Sequence, residues 1–223
     1  IMIAFVVNSL HDTRAVSILE DYSPALPTKI FDIKGRLISE FFLEKRELVG
    51  IEEIPKIAID ALIATEDQQF FKHYGLNLWR IFIQGVENIF SFSIRGGGST
   101  ITQQLSKLLF TSREKTFKRK IVELWYSIQI EKRYTKNEIL TFYFNQIYYG
   151  HGCYGIKAAS KYYFSKEPKD LNLGEAAMLA GIVNAANKYS PFKDLKVSMK
   201  RHRLVLSRMM RVGYITKKEA YET

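Results

Sequence analysis

Apolar positions in this chain recur mostly with a helical period, and the clearest exception lies near its start. Residues 28–41 (TKIFDIKGRLISEF) form two runs rich in Ile, Phe and Leu about Asp32-Ile33-Lys34-Gly35. That pattern predicts a β-hairpin, and it is the one segment that reads as β. From Ile54 the period changes: Pro55 falls in a first turn, and Ile54, Ile57, Ala58, Ala61, Leu62 and Thr65 share a face, which predicts a helix. Glu66 falls at its C-terminal end, where a carboxylate meets the negative pole of the helix dipole. A merely structural acid is poorly placed there, so the position points towards function.

Residues 78–90 (LWRIFIQGVENIF) are apolar on almost every side, so this segment is either a core helix or one laid against something greasy. Gly96-Gly97-Gly98 follows, and then Thr100 and Gln103 stand at capping-box spacing, so a helix starts after the glycines. Ile101, Leu105 and Leu108 make its apolar stripe; Thr100, Gln103, Gln104 and Lys107 make a polar side that could line a cleft. The next helix, about 116–132, places Phe117, Ile121, Leu124 and Ile128 inward and gathers Arg119, Lys120 and Glu123 by i+3 and i+4 spacing. Three more capping boxes, Thr135/Glu138, Asn172/Glu175 and Thr216/Glu219, open helices near 136–145, 173–184 and from 217 onwards. A long basic helix runs over 194–212 and is closed by Gly213.

Composition bounds this picture. The 223 residues are 47% hydrophobic and 25% charged, with 13 Gly and 5 Pro, which favours one folded core and excludes collagen-like, low-complexity and disordered classes. A single cysteine, Cys153, excludes an internal disulfide and any Cys-based zinc site. The net charge of +10 favours an anionic partner: nucleic acid, lipid headgroups or a phosphorylated substrate. Much of the excess lies in residues 107–136, where nine basic residues face only Glu114, Glu123 and Glu131; the plain alternative for such a run is a solvated helix face. The opening IMIAFVV is far shorter than the ~20 residues that cross a bilayer. It is either a first strand or tag remnant, or the tail of a membrane anchor, which makes residues 1–27 a separate N-terminal segment.

Two carboxylates on separate helices, Glu66 and Glu123, bracket a polar face and a cationic group in the sequence. Paired carboxylates suit sugar chemistry, in which one exchanges a proton and the other stabilises charge. Arg and Lys suit phosphate oxygens, and together they suggest a glycosyl phosphate. There is no HExxH and no Ser-His-Asp signature, and His11, His73, His151 and His202 are scattered, so hydrolase and metalloenzyme readings recede. The Gly-rich turn lacks GxxxxGK[ST], which argues against a P-loop.

The residues also carry a specific resemblance. Glu66 to Gly75 (EDQQFFKHYG), Gly98 to Lys107 (GSTITQQLSK), Arg119 to Glu123 (RKIVE), Tyr143-Phe144-Asn145 through Gly155, Ala158, Ala159 and Tyr163-Phe164, and Glu175 to Gly181 with Tyr189-Ser190-Pro191 stand in order along the chain. In these five blocks the chain resembles the peptidoglycan glycosyltransferases, in particular the transglycosylase module of bifunctional class A penicillin-binding proteins. It departs where Leu108 follows Lys107 in place of the usual Asn, and where Asn184-Ala185-Ala186-Asn187 replaces a more Pro-rich segment.

The resemblance implies a mainly α fold: a lysozyme-like helical lobe, a smaller membrane-facing lobe (about 76–112) and the short N-terminal β-hairpin, all within a glycosyltransferase domain over 28–223. It implies polymerisation of lipid II into glycan strands with inversion and release of undecaprenyl pyrophosphate. Glu66 is then the general base, and Glu123 the second catalytic acid, orienting cations or donor. Ser99, Gln104, Lys107, Arg113, Arg119, Lys120 and Asn145 are the expected substrate-binding residues, with a helix C-cap as the alternative role for Asn145. Asp67 and His73 match the motif as braces of the loop.

No cofactor is required on this reading, although a divalent cation (Mg or Mn) could sit on the pyrophosphate. The expected partners are lipid II, the growing strand, a membrane surface touched by residues 78–92, and a covalently linked transpeptidase domain; no nucleic acid is expected. The expected place is the outer, periplasmic face of the cytoplasmic membrane. Two rivals remain. A glycan-cleaving muramidase would share fold and acid but would not need the gathered cations, and a non-enzymatic membrane- or nucleic-acid-binding module would leave Glu66 and the Gln face unexplained.

Overall fold

The computed structural model describes residues 28–41, 45–76, 99–110 and 116–223. The expectations placed on residues 1–27, on 78–92, on Gly96-Gly97-Gly98 and on Arg113 lie outside the described residues. What is described is mostly helical and falls into two compact units, one from Glu66 to Tyr143 and the other comprising residues 28–65 with Phe144–Thr223.

In the second unit, strands β1 (Thr28–Phe31) and β2 (Leu37–Phe41) pair antiparallel as the expected hairpin. Asp32 organises its turn: its Oδ1 accepts from Lys34 N at 2.9 Å and Arg36 N at 2.8 Å, and Gly35 takes φ of 75°. Helix α1 (Lys56–Glu66) follows. Its carbonyl at Thr65 accepts from Arg208 Nη1 at 2.7 Å, so a cation closes the helix end at which Glu66 is presented.

The hairpin is not the only β structure. Strand β3 (Lys45–Arg46) runs parallel to β5 (Cys153–Tyr154), which pairs antiparallel with β4 (Tyr148–Gly150). Strands of two or three residues are too short to show an alternation, which is why periodicity missed them. Their connection needs Gly150, His151 and Gly152 at φ of 91°, 52° and 76°.

Helices α5 (Ile156–Phe164), α6 (Leu173–Ile182), α7 (Ala186–Tyr189), α8 (Leu195–Val212) and α9 (Lys217–Glu222) complete this unit. Its core is built around small residues: Ala61 and Ala64 of α1 and Ala177 and Ala180 of α6 join Val205, Leu206 and Met209 of α8 and Ile215. The Asn172/Glu175 and Thr216/Glu219 boxes form as expected, and Gly213 closes α8 at φ of 86° while its N–H reaches the Met209 and Met210 carbonyls.

In the first unit, α2 (Ile101–Phe110) packs against α3 (Phe117–Arg133), and α4 (Lys136–Gln146) begins after the Thr135/Glu138 box. The inward stripe expected for α3 is displaced. Its buried positions are Glu123, Tyr126, Ser127 and Ile130, whereas Ile121, Leu124 and Ile128 are half-buried. Serines explain the shift. Ser106 of α2 and Ser127 of α3, both fully buried, donate to the carbonyl of Glu123 at 2.9 and 2.6 Å. Small hydroxyls bring the two backbones together on a face that hydrophobic periodicity does not mark. Leu108 is likewise no core residue, being 49% exposed, while Ile101 and Leu105 are fully buried.

Candidate functional site

The site is assembled within the Glu66–Tyr143 unit. Its anchor is Asp67, only 1% exposed, whose Oδ2 accepts from the Ile101 backbone N–H at 3.1 Å and stands 2.8 Å from His73 Nε2. A carboxylate at the first residue of α2 satisfies an otherwise orphan donor and meets the positive pole of the helix. Thr100 and Gln103 form the expected capping box: Gln103 N donates to Thr100 Oγ1 at 3.1 Å, and Thr100 N donates to Gln103 Oε1 at 3.2 Å. The Thr100 hydroxyl in turn donates to the Gly75 carbonyl at 2.6 Å.

This capping divides the polar face that the sequence suggested for α2. Thr100 and Gln103 are consumed at the helix start and buried, Gln104 is half-buried, and Lys107 is exposed. Gln104 is the member that meets Glu66. Its Nε2 donates to Glu66 Oε2 at 2.9 Å, and its Oε1 accepts from Tyr143 Oη at 2.6 Å. Glu66 itself is 9% exposed. A nearly buried acid that accepts from a neutral amide is suited to exchanging a proton with a hydroxyl.

The second group lies on the first two turns of α3, which is capped by Thr116, whose side chain accepts from Arg119 N. Glu123, 3% exposed, accepts from Arg119 Nη1 at Oε1 and from Lys120 Nζ at Oε2, the latter at 3.0 Å. The i+3 and i+4 grouping read from the sequence is therefore realised. The side chains differ in access: that of Arg119 is 16% exposed and that of Lys120 40%. Lys120 Nζ also donates to Ser99 Oγ at 3.3 Å. A buried carboxylate holds two cations side by side against their mutual repulsion, and the trio retains one net positive charge beside a hydroxyl.

Asn145 belongs to the other unit and is 7% exposed. Its Oδ1 accepts from Val49 N at 3.0 Å and its Nδ2 donates to Val49 O at 2.9 Å. Both ends of the amide thus brace the segment after β3. The residue that sequence reasoning passed over is Tyr143, quoted only as the first position of its motif block; its place two residues before Asn145 was the available signal. Among the described residues no group of three His, Cys, Asp or Glu side chains is arranged to hold a metal ion.

The comparisons with known proteins identify the family. The transglycosylase family profile matches residues 34–210. Penicillin-binding protein 1A of Aquifex aeolicus is 41% identical over 221 residues, which is 99% of this chain and 30% of that protein. Penicillin-binding protein 1F of Bacillus subtilis is 43% identical over 193 residues, covering 86% of this chain and 27% of that protein. The crystal structure of penicillin-binding protein 1A from Haemophilus influenzae superposes with a TM-score of 0.53 at 27% identity, covering 90% of this chain and 20% of the other. The chain thus spans less than a third of the length of these relatives. With the profile covering most of the sequence and the motif acids gathered in one unit, the chain belongs to the transglycosylase family.

Proposed function

We propose that this chain is the peptidoglycan glycosyltransferase module of a class A penicillin-binding protein, polymerising lipid II into glycan strands. The observation that supports this most directly is the pairing, within one compact unit, of a hydrogen-bonded buried carboxylate, Glu66, with the Arg119–Lys120–Glu123 trio. Glu66 takes the proton of the 4-hydroxyl of an incoming lipid II. That oxygen attacks the anomeric carbon of the growing strand from the face opposite the pyrophosphate, the carbon–oxygen bond to pyrophosphate breaks, and the product is inverted. A diphosphate is already a competent leaving group, so protonating it matters less than stabilising the charge it gains. Lys120, the more exposed cation, and Arg119 do this, with Ser99 beside them and Lys107 one turn beyond Gln104. Glu123 orients the pair.

A divalent cation fits this donor set poorly. Both oxygens of Glu123 are already engaged by Arg119 and Lys120, so a Mg or Mn ion on the pyrophosphate would be held mainly by the substrate. The missing length relative to the relatives supports a linked transpeptidase domain and a membrane anchor, with the module working at the outer face of the cytoplasmic membrane. No helix among the described residues is long and apolar enough to cross a membrane, and the apolar 78–92 segment is the proposed contact with it.

The test is a gel of labelled lipid II incubated with the chain, its Glu66→Gln variant and vesicles of anionic lipid. Growing ladders from the parent and none from Glu66→Gln are expected. Residual activity above about a tenth of the parent would refute the assignment of Glu66, since a general base contributes roughly 10²- to 10⁴-fold. Shortening of preformed strands in place of growth would instead indicate the muramidase.

A further inference from the structure

Gln104 is the middle member of a three-residue chain whose members all lie in the Glu66–Tyr143 unit: Tyr143 Oη donates to Gln104 Oε1 at 2.6 Å, and Gln104 Nε2 donates to Glu66 Oε2 at 2.9 Å. A carboxamide has one donating and one accepting end, and only the donating end suits an ionised carboxylate. Turned over, Gln104 would set its carbonyl oxygen against the carboxylate, an arrangement that becomes favourable only when Glu66 carries a proton to donate. The side chain that weights the choice is Tyr143, 1% exposed, whose phenol is a good donor and a poorer acceptor.

We propose that Tyr143 is a positioning residue of the transfer reaction: its hydroxyl fixes the Gln104 amide with the NH₂ towards Glu66, the end of the amide that suits a carboxylate acting as base. This rests on the reading of Glu66 as the base. Tyr143 touches no reacting atom and acts through Gln104. Of the described titratable groups, Asp67 adjoins Glu66 in the chain and His73 pairs with Asp67. Asp67 and His73 are engaged with one another, and Asp67 also with the Ile101 N–H, so neither substitutes for the amide.

The experiment measures kcat/KM for lipid II polymerisation across pH. Removing one neutral hydrogen bond from the chain moves the acidic limb of the Tyr143→Phe profile up by roughly half to one pH unit. Gln104→Leu, which removes the donor itself, moves the limb at least as far, and adding Tyr143→Phe to Gln104→Leu moves it no further, because the two act through one chain. If Tyr143→Phe does not fold, 3-fluorotyrosine at position 143 keeps the shape and strengthens the donor, and the limb then moves to lower pH. A limb that stays where the parent has it in either Tyr143 variant, with Glu66→Gln inactive, overturns the positioning role and leaves the base standing. An active Glu66→Gln removes the base and this inference with it. A fall in the plateau and the melting temperature without movement of the limb assigns Tyr143 to packing alone and also overturns the proposal.

Discussion

Replacing Gly75 by alanine should damage the module out of proportion to the one methyl group added. Gly75 sits at φ of 79°, and a Cβ built there stands 2.8 Å from the Ser127 carbonyl oxygen and 3.0 Å from Glu131 Cγ. The first obstacle is backbone and cannot rotate away. Two costs follow. An L-residue in the left-handed region gives up about 1–2 kcal/mol, and forcing a methyl into a closed contact typically takes about 1–3 kcal/mol more through displaced backbone. At roughly 2–4 °C per kcal/mol for a chain of this size, the expected loss of about 2–5 kcal/mol lowers the melting temperature by about 4–20 °C. Gly213→Ala is the internal control. Gly213 has a similar φ of 86° and open space around its would-be Cβ, so it bears only the first cost. Thermal melts of the two variants and the parent separate the terms. If Gly75→Ala melts no lower than Gly213→Ala, the contact with α3 is not a constraint and the reasoning fails. Activity adds a second reading, because the Gly75 carbonyl receives the Thr100 hydroxyl at the start of α2. Displacing it should disturb Gln104 and slow polymerisation at temperatures where the variant is still folded.

Lys120→Ala and Arg119→Ala should slow turnover by about 10²-fold while changing the acceptor KM by only a few-fold, because on the proposed mechanism the charge they meet grows in the transition state; steady-state kinetics showing an unchanged kcat would make the pair a surface salt bridge. His202, 4% exposed and with Nε2 3.2 Å from the Gly174 carbonyl, is held below the ordinary histidine value of 6.5, mainly by burial, with Arg203 adding to the effect. The folded protein therefore resists protonation there: its stability is full above that value and declines as pH falls below it. Melting temperatures between pH 7.5 and 5 should fall less steeply in His202→Gln than in the parent, and identical slopes would show that His202 is not responsible.

The parts of the fold legible in the sequence are those set by neighbours along the chain. Capping boxes at Thr100, Thr135, Asn172 and Thr216, the closing Gly213 and the Asp32–Gly35 turn are fixed by side chains reaching three or four residues, so spacing alone revealed them. The Arg119, Lys120 and Glu123 grouping was legible for the same reason. What escaped depends on distant partners. The β3–β5–β4 sheet joins residues about a hundred positions apart, Asn145 spends its amide on Val49, and the buried face of α3 is marked by Ser127 and Glu123, where a hydrophobic stripe was sought. The Glu66–Gln104 pair spans 38 residues, and no periodicity predicts it. The two residues were singled out separately, Glu66 by its helix end and its motif and Gln104 by the polar face of α2.

The two serine hydroxyls that share the Glu123 carbonyl have a bearing on how the protein tolerates change. Because Ser106 lies on the helix carrying Gln104 and the shared carbonyl lies on the helix carrying Lys120, the bond works like a peg between two rulers. The helices have one register, and a slip of a single residue would withdraw the peg and leave buried polar groups unmatched. The separation between Gln104, which bonds Glu66, and the Arg119–Lys120 pair is thereby a fixed gauge. Substitutions on the outer surfaces can alter how the module meets its surroundings without rescaling the distance between these groups.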